Sequence, residues 1–156
     1  MQLATTSIKS ILLVDDDQDD YYLFGEALKK TGLSISLSYS SNFLEAVAYL
    51  TTELPDIIFL DLNMPFKNGL DALTDLKAEE KFRSIPIVIF SSSTYSRDIK
   101  IAYERGATLY FTKPSSFETL AAALEQILLK TWQKPALITA QYFIDGCYTP
   151  FQPEAV

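Results

Sequence analysis

Five short apolar runs, each rich in Ile, Val, Leu or aromatic residues, alternate along the chain with longer segments in which apolar residues recur at helical spacing. A short run that is apolar on both sides of the pleat must be covered on both faces, and a helix between every two runs supplies the covers. Few architectures satisfy both demands. The runs span Ile8 to Val14, Ser34 to Tyr39, Ile57 to Leu60, Ile87 to Phe90 and Thr108 to Thr112. The expectation is an α/β fold, a doubly wound five-stranded parallel sheet with helices on both faces.

The intervening segments carry the helical period. Phe43, Ala46, Val47, Leu50 and Leu54 predict a second helix, and Phe117, Leu120, Ala121, Leu124 and Leu128 a fifth. The first presents Tyr21, Phe24, Ala27 and Leu28 and stops near Gly32; the third presents Leu70, Leu73 and Leu76 after Gly69. The fourth, from about Tyr95 to Arg105 with Gly106 as C-cap, has Ile99, Ile101, Ala102 and Tyr103 spread around it rather than along one stripe. Beyond Trp132 the alternation ends. Tyr142, Phe143, Ile144, Tyr148 and Phe151, set among Pro135, Pro150 and Pro153, are too apolar for a flexible linker. The expected division is 1–131 as the main domain and 132–156 as a C-terminal extension with no separate output domain, packed on its own domain or on a second copy.

Composition narrows the chemistry. The chain carries 13 Lys and Arg against 20 Asp and Glu, a net charge of −7, which opposes a nucleic-acid backbone. The longest unbroken apolar stretch before the acids Asp15, Asp16, Asp17, Asp19 and Asp20 is Ile11 to Val14, too little for a signal peptide or a membrane span, so a cytoplasmic protein is expected. The lone Cys147 excludes an internal disulfide, and the absence of histidine removes the commonest general base. Carboxylates, hydroxyls and lysine remain.

In open parallel sheets, ligands bind beyond the carboxyl ends of the strands, where the chain order reverses. Those ends carry Asp15 and Asp16 after the first run, Asp61 after the third, Ser91 after the fourth and Lys113 followed by Pro114 after the fifth. Three carboxylates brought together repel one another unless a cation lies between them, and oxygen donors of this kind suit Mg²⁺. Asp61 is the natural nucleophile toward a phosphoryl group, with Lys113 placed to stabilise charge on the transferring oxygens. The remaining acids, Asp17, Asp19 and Asp20, read as first-turn caps of the first helix.

The segments ILLVDDD, IIFLDLNMP, IVIFSSS and YFTKP, in this order and spacing, resemble the receiver domain of two-component response regulators, the CheY-like family with its flavodoxin-like (βα)5 fold. The resemblance runs from about Ile8 to Lys130. It implies Asp61 as phosphoacceptor, Asp16 as direct Mg²⁺ ligand, Asp15 as ligand through water and the Asn63 backbone carbonyl as a further ligand. It also implies Ser91 and Tyr110 as a switch pair, Lys113 as the phosphoryl partner and a cis peptide between Lys113 and Pro114.

The expected function is a single-domain response regulator whose Asp61 is phosphorylated, with Mg²⁺, by a partner histidine kinase or histidine phosphotransfer protein. Enzymatic activity is limited to self-phosphorylation and self-dephosphorylation. Output passes to a downstream protein at the face of the fourth helix, fifth strand and fifth helix, without nucleic acid or membrane, and a homodimer is compatible with the aromatic tail. Two alternatives stand beside it. A Mg²⁺-dependent phosphohydrolase with an aspartyl phosphate requires a second aspartate two positions after the nucleophile, where this chain has Asn63. A degenerate receiver acting as an interaction module is expected to lack one of the acids, the hydroxyl or the lysine, and here all are present.

Overall fold

The structure, a computed structural model, describes residues 5–154. Five strands form one parallel sheet: β1 (Ser10–Val14), β2 (Ser36–Ser40), β3 (Ile57–Leu60), β4 (Ile87–Ser91) and β5 (Leu109–Thr112). Their order is β2-β1-β3-β4-β5, so the chain reverses direction between β1 and β3, the place where such sheets bind ligands. The helices are α1 (Gln18–Lys30), α2 (Phe43–Leu50), α3 (Gly69–Ala78), α4 (Ser96–Glu104) and α5 (Phe117–Leu128).

Alternate strand residues feed two apolar layers. Ile11, Leu13, Ile57, Phe59, Val88, Phe90, Leu109 and Phe111 pack with Phe24, Ala27 and Leu28 of α1 and Leu120, Leu124 and Ile127 of α5. Leu12, Val14, Ile58, Leu60, Ile87 and Ile89 face the other way, onto Ala46 and Leu50 of α2, Leu73 and Leu76 of α3, and Ile99 and Ala102 of α4. Register is therefore fixed, since a one-residue slip would exchange the two layers. Local chemistry sets the helix ends. Asp17, Asn42, Asn68 and Ser116 each accept a hydrogen bond from the first turn that follows them, and Gly32 and Gly106 end α1 and α4 with φ of 75° and 109°.

β1, β2 and β5 start one or two residues later than the apolar runs predict, β3 and β4 start where predicted, and Ser91 closes β4 rather than following it. Ile8 stays buried although it precedes β1. Helix α2 ends at Leu50, which leaves Leu54 outside the helix and exposed. Helix α4 is more one-sided than its sequence suggests, because Ile99, Ala102 and Tyr103 are buried together while Ile101 is only half-buried.

Residues 132–154 fold onto the domain. Trp132 is buried and donates from Nε1 to Ile127 O at 2.8 Å, tying the start of the extension to the last turn of α5. A short helix, α6 (Pro135–Ala140), and a two-stranded antiparallel hairpin, β6 (Phe143–Ile144) with β7 (Cys147–Tyr148), follow. The hairpin turns through Asp145 and Gly146, both at positive φ. Phe151 is buried against the domain. Among the described residues, no helix is long and apolar enough to cross a membrane.

Candidate functional site

The carboxyl ends of β1, β3 and β5 converge on four charged side chains. Asp15, directly after β1, is fully buried and its main chain is fastened on both sides, by Asp15 N to Ser40 O at 3.1 Å and by Tyr39 Oη to Asp15 O at 2.7 Å. Tyr39 is itself held by a parallel stack on Tyr21, with centroids 4.0 Å apart. Asp61, directly after β3, is 4% exposed. Its amide donates to Val14 O at 2.9 Å, and its Oδ1 accepts from Asn63 N at 3.3 Å. Asp16 is exposed at the rim. One carboxylate oxygen from each of Asp15, Asp16 and Asp61 lies within 4.8 Å of the others.

Lys113 enters from the end of β5. Its Nζ stands 2.8 Å from Asp15 Oδ2, 2.7 Å from Asp20 Oδ2 and 3.4 Å from Asp61 Oδ2, with the Phe90 ring 5.3 Å beneath it. The approach to Asp15 Oδ2 lacks hydrogen-bond alignment, so this buried oxygen has charge compensation and no donor. Burial works against the ammonium, yet Asp15 and Asp20 outweigh it and hold Lys113 above the ordinary lysine range. Burial pushes the Asp61 carboxyl up from 3.8 to about 6; Lys113 opposes the rise and Asp15 adds to it. Burial raises Asp15 as well, against Lys113 and the Asp17 amide. One ammonium thus serves several carboxylates and leaves a deficit of positive charge. Hard oxygen donors with an unsatisfied buried oxygen among them fit a divalent cation of the Mg²⁺ class.

The expected switch residues sit on the neighbouring strands. Ser91 is fully buried, its Oγ accepting from Ser93 N at 3.2 Å and its carbonyl from Lys113 N at 2.8 Å. Tyr110 is also fully buried, and its hydroxyl donates to Ser93 O at 2.8 Å. The β4–α4 turn therefore joins Ser91 and Tyr110 through Ser93.

Two expectations are corrected. The Lys113–Pro114 peptide is trans, since no cis peptide occurs among the described residues. The trans form is the intrinsically preferred one, and Lys113 reaches all three acids from it. Asp20 does not cap α1. Asp17 does so, accepting from Asp19 N and Asp20 N, while the Asp20 side chain turns to Lys113.

Sequence reasoning also passed over Tyr39 and Gly69. Tyr39 lies in an edge strand with no local mark of its task. A Cβ at Gly69 would collide with the Asp61 carbonyl and Leu62 Cα, so glycine lets α3 start directly beneath the site. The loop between them holds Phe66 at a φ of 69° with its ring fully exposed, and nothing in the structure accounts for either.

A description of the response regulator receiver domain matches residues 11–125. The chain belongs to the response regulator receiver family. Response regulator Rcp1 of Synechocystis sp. is 31% identical over 138 residues, covering 82% of this chain and 94% of Rcp1. The solved structure of the phosphorylated cyanobacterial phytochrome response regulator RcpA superposes with a TM-score of 0.71 at 31% identity, covering 78% of this chain and 91% of that one. The Mn²⁺-bound form of Rcp1 superposes with a TM-score of 0.65 at 26% identity, covering 90% and 99%. This receiver is accordingly a response regulator of two-component signalling, a family whose work is signalling and whose members bind divalent metal at an acidic pocket.

Proposed function

We propose that this receiver is a phosphoacceptor switch in which Asp61 takes a phosphoryl group from the phosphohistidine of a sensor histidine kinase or histidine phosphotransfer protein. The observation that carries the reading is the cluster of the Asp15, Asp16 and Asp61 carboxylates beside the half-buried Lys113, with Asp15 Oδ2 left without a donor. Asp15, Asp16, Asp61 and the Asn63 backbone carbonyl would hold Mg²⁺. The ion, when bound, would offset carboxylate repulsion and neutralise charge on the transferring oxygens.

An Asp61 carboxylate oxygen attacks phosphorus, the O–P bond forms as the N–P bond breaks, and the departing imidazole keeps the electron pair and takes up a proton from solvent. Lys113 stabilises the new phosphoryl oxygens, and the Ser91 hydroxyl turns toward them from its present bond with Ser93 N. Tyr110 keeps its hydroxyl on Ser93 O and so holds the β4–α4 turn in place while Ser91 turns. Residues 1–131 act as the receiver unit and 132–156 as its extension, so a downstream protein at the α4–β5–α5 face meets the extension as well. The solved relatives named as phosphorylated RcpA and Mn²⁺-bound Rcp1 support both parts of this chemistry by analogy.

Acetyl phosphate or beryllofluoride with Mg²⁺ tests the reading by mass spectrometry and Trp132 fluorescence. The wild type should gain one phosphoryl group or show a saturable spectral change, and Asp61→Ala should show neither. Identical silence in both proteins would favour an inert interaction module, and steady turnover of free phosphoesters would favour a hydrolase.

A further inference from the structure

The extension reaches the phosphorylation pocket by two chains of contact. In the first, Tyr103 Oη donates to Thr149 O at 2.9 Å and accepts from Tyr110 N at 3.0 Å, while Phe151 N donates to Tyr110 O at 2.7 Å. The extension thus fixes both main-chain polar groups of Tyr110, directly at its carbonyl and through Tyr103 at its amide. The Tyr110 hydroxyl in turn holds Ser93 O, and Ser93 N holds Ser91 Oγ. In the second, Phe151 packs edge-on to Phe111 at 5.8 Å, Phe111 stacks on Phe90 at 5.2 Å, and Phe90 lies under the Lys113 ammonium.

The segment is fastened across the same face at other points. Tyr148 stacks on Tyr103 with centroids 4.8 Å apart, Thr149 N closes onto Tyr142 O at 2.7 Å, and Gln126 Oε1 on α5 accepts from Glu154 N at 2.9 Å. Residues 142–154 therefore form a strap across α4, β5 and α5 that ends three contacts away from Ser91 on one side and from Lys113 on the other.

We propose that docking of this strap and occupation of the Asp61 pocket are coupled and reinforce each other. A ligand that draws on Ser91 and Lys113 needs an ordered β4–α4 turn, and that turn is ordered when Tyr110 is buried with its hydroxyl on Ser93 O. The strap holds Tyr110 there. Linkage makes the effect reciprocal, so the strap raises pocket affinity by the same factor by which an occupied pocket tightens the strap. The bistable element is the Ser92–Tyr95 turn with the Tyr110 side chain, and both sites bias it. This inference rests on the phosphoacceptor reading above.

The test uses the full chain with beryllofluoride and Mg²⁺ as the probe. Tyr103→Phe keeps the stack on Tyr148 and loses the bonds to Thr149 O and Tyr110 N; Phe151→Ala removes the other anchor. Beryllofluoride affinity should fall about fivefold or more in each variant, a coupling of ordinary size, and exchange of the Phe151 amide in the wild type should slow by a similar factor at saturation. Wild-type affinity in a folded Tyr103→Phe protein, or unchanged Phe151 exchange in the loaded wild type, would overturn the coupling and leave the phosphoacceptor reading intact. A wild type that binds beryllofluoride no better than Asp61→Ala would overturn both.

Discussion

Replacing Asp61 with asparagine should make the metal-free protein more stable, and the size of the gain follows from the site. Asp61 is 4% exposed, and its carboxyl is pushed from 3.8 to about 6, with burial the largest cause. The folded state therefore binds the proton more tightly than the unfolded chain does. Stability falls as pH rises from about 4 to about 6, and above that the ionised carboxylate costs the full shift, on the order of 3 kcal/mol for two units at 1.36 kcal/mol each. Asparagine keeps the shape without the charge. In EDTA at pH 7.5 the variant should gain up to about 3 kcal/mol, or roughly 6–12 °C in Tm for a domain of this size. The gain should shrink toward zero at pH 4, where Asp61 is protonated in both states. Urea denaturation followed by Trp132 fluorescence at several pH values measures it directly, provided the slope with denaturant is unchanged. Millimolar Mg²⁺ should erase the difference by stabilising only the wild type. A less stable variant at pH 7.5 in EDTA, or a difference indifferent to pH, would refute the account of burial and charge.

Other substitutions probe the remaining parts. Gly69→Ala should cost about 3 kcal/mol by urea denaturation, because the atoms its Cβ would meet belong to the Asp61 and Leu62 backbone and cannot swing aside. Lys113→Met should destabilise the metal-free protein by about 3 kcal/mol at pH 8, since it strips buried acids of their cation. Its effect should be smaller at pH 5, where those acids take up protons, and it should slow labelling by acetyl phosphate. Phe151→Ala should cost about 3 kcal/mol, whereas Phe143→Ala, half exposed on the hairpin, should stay within about 0.5 kcal/mol.

The sheet, five helices and the meeting of most candidate site residues at one edge were legible because each is written in neighbouring residues. The both-sided apolar runs and the acids, hydroxyl and lysine that end them are local patterns, and a parallel sheet brings strand ends to one edge whatever the loops do. Asp20 was misread for the opposite reason. An acid in the first turn of a helix has a sufficient local explanation, and only the packing of α1 against α5 brings it to Lys113. Tyr39 was missed because its hydroxyl serves a carbonyl 24 positions earlier in the chain. The extension showed its apolar character in sequence, but the partners of Thr149 and Phe151 lie some forty residues away, and no periodicity marks them.

The last of these contacts bears on how the sheet meets its surroundings. β5 is an edge strand, and an uncovered edge is a template for another chain. Here Phe151 N and Tyr103 Oη occupy the groups of Tyr110, and Thr139 Oγ1 donates to Thr108 O at 2.8 Å. Removing the extension would leave Tyr110 O and Thr108 O open. A strand from a second molecule could then pair where Phe151 had been, so a chain cut short near residue 131 should be prone to self-association, and any event that lifts the strap must supply a substitute for it.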